Sequence, residues 1–311
     1  MDNLFGENIS NSTKETIELN LYCDEIKNKE CPINREKWHY FGVLIVPVKK
    51  ERTLLVDLLK KRFLVENLKN LNKDNKYFSK NNRIVHFNEL GADTYFIAKR
   101  WHEYILDQRS CENIYFNILG INQNKMNPDN FGNKNLFERM YNRFFRTAVS
   151  YPITKYFPGY KIVIKNIFHE IGDQEYHEFF PWHVLYKINE DYENISCLNE
   201  RIVFLDKDHE KSNRANFIQF IDMILGAMVN MFHNSTENEH KVKLTDDFSE
   251  LTKRLIESPD NPRSYYCKNY YKRMNISFFP DKLIGSNSEE INRFFKTRDM
   301  VFLNRQQVKL F

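Results

Sequence analysis

The pattern of hydrophobic and polar positions predicts two neighbouring strands near the N-terminus. Residues 17–24, IELNLYCD, alternate apolar and polar side chains, which is typical of a strand with one buried face. Residues 38–46 form a second hydrophobic segment, which Pro47 closes. Because the connection between the two segments is short, we expect them to pair in antiparallel fashion.

Further along the chain, strand patterns alternate with helical ones. Apolar residues recur at helical spacing in residues 50–71 and again in residues 93–107. Beyond these, each strand pattern is followed by a helical pattern. The predicted strands are 114–121, 160–168 and 201–205, and the helices that follow them are 136–157, 174–188 and 214–233. This order predicts an α/β fold with one mixed five-stranded sheet and helices on both faces.

The chain changes character after residue 235. This change divides a predicted core, residues 1–235, from a C-terminal extension, residues 236–311, that we expect to pack on it. The extension begins with a polar loop and a predicted helix at 246–257. Residues 263–311 then contain ten Lys and Arg against four Asp and Glu, whereas the whole chain has a net charge of only +4. All of the net positive charge therefore lies in this last segment.

The stretch at 263–273, RSYYCKNYYKR, interleaves basic and aromatic residues. Nucleic-acid bases stack on such rings while Lys and Arg bind phosphates, so the stretch favours contact with nucleic acid. The alternative is a segment whose rings pack on the core, and the sequence leaves both interpretations open.

Composition excludes several classes of protein. Gly and Pro number only nine each, which disfavours collagen-like, linker-rich and glycine-rich phosphate-loop architectures. The five cysteines are scattered without a C-x-x-C pair, so a zinc ribbon or a disulfide framework is not predicted. The N-terminus lacks the pattern of a signal peptide, and the longest apolar run, residues 217–232, is too short to span a bilayer. We therefore expect a soluble, cytoplasmic protein without membrane contact.

Acidic residues recur at the predicted ends of elements. Asp24 ends the first strand, Glu89 ends the segment IVHFNEL, and Glu170 ends the fourth strand. Asp206 and Asp208 follow the fifth strand. The carboxyl ends of parallel strands meet at one edge of a sheet, where carboxylates repel one another unless a cation neutralises them, and Mg²⁺ prefers oxygen ligands. Acids at such positions also serve as helix caps and turn residues.

Asp222 differs from these acids because it lies inside the most apolar predicted helix. An ionised carboxylate without a partner is costly in such surroundings. At helical spacing the polar or small positions form one stripe, which consists of Gln219, Asp222, Gly226 and Asn230. We interpret this stripe as facing a site, with Gly226 allowing a close approach. The alternative is the solvent-facing stripe of an amphipathic helix.

Four sequence blocks, in order, resemble the domain of unknown function 3800 family. YCDE (22–25) followed by YFGVLIVP (40–47) resembles the family's opening, in which a strand ends in Asp-Glu-Ser-Gly and a hydrophobic strand follows. HFNEL (86–90) resembles the acidic motif after its first long helix. FLDKDHEKSN (204–213) followed by FIQFIDMILGA (217–227) resembles its closing pattern, with Gln-x-x-Asp and a Gly-Ala pair.

The resemblance covers residues 17–233 and implies a ribonuclease H-like fold with metal-dependent nuclease activity. It places Asp24, Glu89 and Asp222 at the family's acidic positions and Glu170 at the fourth, where the family commonly has Asp. These four would be the catalytic residues and would bind Mg²⁺ (or Mn²⁺). Two such ions about 3.5–4 Å apart would stabilise both the attacking and leaving oxygens of a phosphodiester. The implied substrate is nucleic acid, DNA or RNA.

Other residues near this predicted site stay open. Asp173 is a second candidate for the fourth acid, and Asp206 and Asp208 are further candidates. His169 and His209 lie beside the same predicted edge, where they would serve in proton transfer or as ordinary hydrogen-bonded residues.

The sequence also departs from the family pattern. Ile26 and Lys27 stand where the family has Ser-Gly, and Ile221 replaces a small residue before the last Asp. The alternative function is therefore a catalytically inactive ribonuclease H-like module that binds nucleic acid or protein.

Overall fold

The computed structural model describes residues 15–31, 35–70, 83–107, 113–126, 136–233, 236–256 and 273–279. These residues form a mixed sheet of seven strands with six α-helices. The strands are β1 (Thr16–Glu30), β2 (Lys37–Pro47), β3 (Tyr115–Asn122), β4 (Lys161–Glu170), β5 (Ile195–Cys197), β6 (Val203–Leu205) and β7 (Met274–Phe279). The helices are α1 (Val48–Asn70), α2 (Ala92–Leu106), α3 (Leu136–Tyr156), α4 (Phe180–Asp191), α5 (Ala215–His233) and α6 (Glu239–Ile256).

The strand order in the sheet is β5-β4-β1-β2-β3-β7. Strands β1, β2 and β3 form an antiparallel meander, and β4 pairs parallel with β1. Strands β5 and β6 pair in turn with the two ends of β4, and both pairings are parallel. Strand β7 pairs parallel with β3 at the opposite edge. The carboxyl ends of β1 and β4 are therefore adjacent, which is the position where a site forms in an α/β sheet.

The predicted mixed α/β sheet is confirmed, but the predicted number of five strands is wrong. Strand β5 has only three residues and lies in a stretch predicted to be a loop, because so short a segment shows no alternation. Strand β7 lies within the predicted extension. Helix α6 packs on α5, and the division of the chain at residue 235 stays a prediction. Residues 263–272 of the basic and aromatic stretch lie outside the described residues.

Each face of the sheet carries its own hydrophobic cluster, because side chains alternate between faces along a strand. Tyr22 and Leu44 point to the face covered by α1, α2, α5 and α6, whereas Leu21 and Val43 point to the face covered by α3 and α4. The predicted helices on both faces are thus observed.

Helix α5 is the central element of the first face. All 19 of its residues are buried, and it packs against β1, β2 and α6. Its length and hydropathy would suffice for a membrane span, and its burial within the fold accounts for its apolar composition. Gly42 of β2 lets it lie close to the sheet, because a Cβ there would come within 3.2 Å of Ile221 and Leu225.

Buried His102 makes the packing of α2 on α6 sensitive to pH. Its ring lies 4.3 Å from the ring of Phe248, and it is 5% exposed. Burial, assisted by nearby Lys99, lowers the pKa of His102 to about 4 from an ordinary 6.5. Because the folded-state pKa lies below the unfolded one, this group costs no stability above pH 6.5, and stability falls as the pH drops from 6.5 towards 4.

We therefore expect His102→Gln to flatten the acid side of the stability profile. In the parent, this histidine should contribute a loss of up to about 3 kcal/mol in the free energy of unfolding between those two pH values. Urea unfolding of parent and variant at pH 7 and pH 4.5 measures the difference. Equal losses in the two proteins would show that His102 does not carry the effect.

Candidate functional site

Parallel pairing of β1 with β4 brings Asp24 and Glu170 together. The last paired residues are Cys23 and His169, so Asp24 and Glu170 are the next residues in register. Asp24 was expected to end its strand, but β1 continues to Glu30 in pairing with β2 alone. Asp24 is 2% exposed, and its Oδ1 accepts a hydrogen bond of 2.7 Å from the Glu25 N–H.

Helix α5 supplies Asp222 to the same place. The polar stripe predicted on this helix is buried, so its interpretation as a solvent-facing stripe is wrong. Asp222 Oδ2 accepts a hydrogen bond of 2.8 Å from the Phe87 N–H. Gly226 allows the predicted close approach, since a Cβ there would lie 2.2 Å from Cγ of Phe87. The stripe therefore fixes the Phe87–Glu89 turn against the helix.

The ammonium of Lys207 lies at the centre of these carboxylates. Its Nζ is 2.9 Å from Glu170 Oε1, 3.3 Å from Asp24 Oδ2 and 3.4 Å from Asp222 Oδ1. The Lys207 side chain is only 6% exposed. Three acids from three separate elements thus converge on one point, and a lysine from the loop after β6 occupies that point. We call Asp24, Glu170, Asp222 and Lys207 the carboxylate cluster.

His86 closes one side of the carboxylate cluster. Its Nδ1 lies 3.2 Å from Asp222 Oδ2, and its Nε2 lies 3.4 Å from Lys207 Nζ. The tautomer with its proton on Nδ1 can donate to Asp222 and accept from Lys207. The opposite tautomer is the one that accepts the 3.2 Å contact from the Asn88 N–H. The tautomer of His86 therefore decides whether its Nδ1 serves Asp222 or the Asn88 N–H.

The two adjacent carboxyl groups divide their protonation unequally. Burial, the charge of Asp24 and a hydrogen bond with it raise the pKa of Glu170 to about 9, and the Lys207 ammonium opposes this rise. Burial alone would raise the pKa of Asp24 as well. The Lys207 ammonium, a hydrogen bond with Glu170 and the Glu25 N–H outweigh burial and hold the pKa of Asp24 well below its usual range. A proton on Glu170 also gives Asp24 a donor that it otherwise lacks, since Asp24 Oδ2 is buried with no hydrogen-bond donor when both acids are ionised.

Glu89 is not among the acids that converge on Lys207. It ends the Phe87–Glu89 turn, where its side chain is exposed. Among the described residues its carboxylate has no hydrogen-bond or ion-pair partner. The turn instead contributes the Phe87 N–H and His86 to the carboxylate cluster.

The other acids considered from the sequence have different roles. Asp173 is exposed and pairs with Lys27 at 3.3 Å. Asp206 accepts hydrogen bonds from Lys211 Nζ and from the Asp208 N–H, while Asp208 accepts one from the Glu210 N–H. These contacts belong to the loop between β6 and α5, as expected of turn residues.

The two histidines considered from the sequence have other hydrogen-bond partners. His169 is buried on the face covered by α3 and α4, where its Nε2 lies 3.2 Å from the hydroxyl of Tyr141. His209 lies in the loop before α5, with its Nδ1 3.4 Å from Nε2 of Gln219.

The carboxylate cluster supplies the oxygen ligands that a hard divalent cation prefers, but its oxygens lie too far from their common centre to coordinate one. Carboxylate oxygens are the ligands that Mg²⁺ and Mn²⁺ prefer, and buried Asp24 Oδ2 is available as one. The oxygens lie 2.9–3.4 Å from Lys207 Nζ, however, whereas Mg²⁺ requires about 2.0–2.1 Å. Accordingly, no three His, Cys, Asp or Glu side chains in the described part of the chain are close enough to hold a metal ion. A cation would bind only if the carboxylates closed around it.

No protein-family model matches the chain, and a search of curated proteins finds no significant match. The resemblance of the four sequence blocks to a family therefore stays a prediction.

Sequence reasoning missed Lys207 and His86. Lys207 lies between Asp206 and Asp208 in a polar loop, where a lysine is ordinarily solvated. Its position within the block FLDKDHEKSN, next to the block that supplies Asp222, was the one available signal. His86 lies in the segment IVHFNEL, in which only Glu89 was considered as a site residue.

Proposed function

We propose that this protein is a Mg²⁺- or Mn²⁺-dependent phosphodiester hydrolase that cleaves nucleic acid. The observation that carries the proposal is the convergence of Asp24, Glu170 and Asp222 within 3.4 Å of one point. These three side chains would hold the cation. When bound, it would activate a water molecule and neutralise the charge that develops on the phosphate.

The fold supports a ribonuclease H-like assignment, which we include in the proposal. An antiparallel meander of β1, β2 and β3, followed by β4 parallel to β1, is the arrangement expected of such a fold. The acids of β1 and β4 lie side by side at the carboxyl end, and the acid of a later helix faces them. The same three acids lie at positions that resemble the domain of unknown function 3800 family.

The chain's own residues prepare the carboxylate cluster for this chemistry. Burial excludes water from Asp24 and Asp222, which strengthens their electrostatic interactions. The Phe87 N–H fixes the Asp222 carboxylate, and the Glu25 N–H fixes that of Asp24. Glu170 is the most exposed of the three side chains, at 28%, so a substrate would reach the carboxylate cluster from its side.

Cleavage of labelled single- and double-stranded DNA and RNA with Mg²⁺ or Mn²⁺ tests the proposal. We expect Asp24→Asn and Asp222→Asn each to lower the rate by at least about 100-fold, since even partners of metal ligands typically contribute 10–100-fold. Asp173→Asn is a matched control, because it removes an acid of the same chain that is exposed and pairs with Lys27. If both cluster variants cleave as well as the parent, the assignment of the site is wrong.

A groove between α3 and α4, on the sheet face opposite α5, is the surface that we propose for stacking of nucleic-acid bases. It has a volume of about 490 Å³ and combines cations with aromatic rings. Bases stack on exposed rings while cations bind phosphates. Phe179 and Trp182 are both 39% exposed. The cations and the remaining ring are Arg143, Arg146, Lys187 and His183, of which Arg146 pairs with Asp191 and Lys187 with Glu190.

We expect Trp182→Ala to weaken the binding of a single-stranded oligonucleotide by about 1–3 kcal/mol, because one stacked base would lose its ring. Fluorescence anisotropy at two salt concentrations measures the change. Tyr186→Ala is the matched control, since Tyr186 lies on the same helix, is 56% exposed and does not line the groove. Equal affinities of the parent and Trp182→Ala would exclude the groove as the binding surface.

The alternative function is a ribonuclease H-like module that binds nucleic acid or protein without cleaving it. Lys207 favours this alternative, because its ammonium already offsets part of the negative charge of the carboxylate cluster. Binding of oligonucleotides without cleavage under any divalent cation would support it over the hydrolase.

A further inference from the structure

A bulge in strand β1 places Lys29 on the same face of the sheet as Asp24. Asp24 pairs with Gly42 and Lys29 pairs with Trp38, so five steps along β1 match four steps along β2. Because side chains alternate between faces, Lys29 would point to the face opposite Asp24 without the extra residue. Asn28 in this bulge has a φ of 51°, a left-handed conformation that residues other than glycine seldom adopt. The strained residue thus directs Lys29 to the face that carries the carboxylate cluster.

Helix α6 supplies a second lysine to this face. The Nζ of Lys241 lies 5.8 Å from the centroid of the Phe87 ring, a distance at which a cation is attracted to an aromatic face. The Phe87 N–H binds Asp222, so Lys241 lies over the turn that holds one acid of the carboxylate cluster. Lys241 is also the third residue of α6, where the helix dipole is positive and disfavours a cation. Local electrostatics of the helix therefore oppose a lysine at this position.

The positive charges of Lys29 and Lys241 lie close together without a counter-charge. Both side chains are half-buried. Burial and, in addition, the charge of Lys241 lower the pKa of Lys29, so the two ammonium groups are near enough to repel each other. Within the described ranges neither ammonium has a hydrogen-bond or ion-pair partner, and Glu89, the acid of the neighbouring turn, pairs with neither. Two cations in such a position favour an anion between them.

We propose that Lys29 and Lys241 together bind one backbone phosphate of a nucleic-acid strand, on the side of the carboxylate cluster that the Phe87–Glu89 turn bounds. A phosphodiester carries one negative charge, and its two free oxygens can accept a hydrogen bond from each ammonium. The two lysines hold the strand, and the acids act on another phosphodiester of it. The inference rests on the proposed function, because that function makes nucleic acid the ligand.

Binding of labelled single-stranded DNA and RNA oligonucleotides in EDTA tests the inference without an activity assay. We expect Lys29→Met and Lys241→Met each to raise the Kd measured by fluorescence anisotropy about 10-fold, because one charged hydrogen bond is lost. In the double variant the slope of log Kd against log salt concentration should fall by about 0.7, since one phosphate of a single strand is no longer neutralised. Lys243→Met is the matched control, because Lys243 lies on the same helix, is 50% exposed and pairs with Glu239. It should bind as the parent does.

Urea unfolding of the same variants separates a binding role from a structural one. Each single change removes one of two like charges, so both variants should be at least as stable as the parent. Variants of Lys29 and Lys241 that are stable and bind with the Kd and salt slope of the parent overturn the inference. If Lys29→Met does not fold, Lys241→Met decides alone, and an unchanged Kd in that variant overturns the inference.

The phosphate site and the hydrolase fail separately. If the parent cleaves, the two lysine variants should raise KM and leave kcat unchanged, because they alter binding of the strand and not the acids. Weaker binding by the variants without cleavage by the parent contradicts the hydrolase alone. Cleavage by the parent with unchanged Kd and KM in both variants contradicts the phosphate site alone. Unchanged Kd in the variants and no cleavage by the parent contradict both.

Discussion

Replacing Gln219 by leucine should lower the free energy of unfolding by about 3–5 kcal/mol. The fully buried amide meets three groups at 2.6–3.0 Å and His209 Nδ1 at 3.4 Å, and leucine can satisfy none of them. The Arg62 guanidinium would lose a charged hydrogen bond, the Val85 N–H would lose its acceptor, and the Lys207 carbonyl would lose its donor. Buried polar groups left without partners account for the size of the effect.

Urea unfolding of parent, Gln219→Leu and Gln219→Glu separates the contributions. Glutamate keeps an acceptor for Arg62 and Val85 but sets a carboxylate oxygen against the Lys207 carbonyl, so its cost reports on that one contact. A double variant, Arg62→Met with Gln219→Leu, removes both the donor and the acceptor of the Arg62–Gln219 hydrogen bond. It should cost less than the sum of the single changes. A loss below about 1 kcal/mol in Gln219→Leu would show that water replaces the amide.

Replacing Gly226 by alanine should destabilise the protein by about 2–3 kcal/mol, although alanine favours a helix over glycine by about 1 kcal/mol. The new Cβ would lie 2.2 Å from Cγ of the buried Phe87 ring and 2.5 Å from its Cβ. Either α5 or the Phe87–Glu89 turn must move. Movement of the turn would also draw the Phe87 N–H away from Asp222.

A double-mutant cycle with Phe87→Gly tests this cause directly. In the Phe87→Gly background both the Cγ and the Cβ that the new methyl group would meet are absent, so Gly226→Ala should be neutral or stabilising by its helix propensity. Denaturant unfolding of the four proteins gives the coupling energy. Equal costs of Gly226→Ala in the two backgrounds would show that contact with Phe87 is not the reason for the glycine.

The acids of the carboxylate cluster were predictable because local pattern fixes their positions. Strand alternation placed Asp24 and Glu170 near the ends of elements, and the parallel pairing of those strands brings them together. Helical spacing placed Asp222 and Gly226 on one stripe, and the close approach at Gly226 is observed. In each case the signal came from periodicity within one element.

The features that the sequence did not predict depend on contacts between distant segments. The position of Lys207 is set by Gln219, and nothing in a polar loop distinguishes a lysine that folds inwards from a solvated one. Glu89 was predicted as a site residue from its motif. The short Phe87–Glu89 turn instead directs its side chain to solvent, and the Phe87 N–H of the same turn binds Asp222. Strand β7 is recognisable only through its pairing with β3, far away in the chain.

Asp222 has two separate contacts, and this affects what its conservation during evolution would mean. Its carboxylate accepts the Phe87 N–H from the turn as well as meeting Lys207. Loss of this acid would therefore harm folding even in a chain that cleaves nothing. Purifying selection would then retain the residue for its structural contact, and its persistence among homologues would be no measure of activity. Glu170, the most exposed of the three acids, is the position whose drift would record the loss of catalysis first.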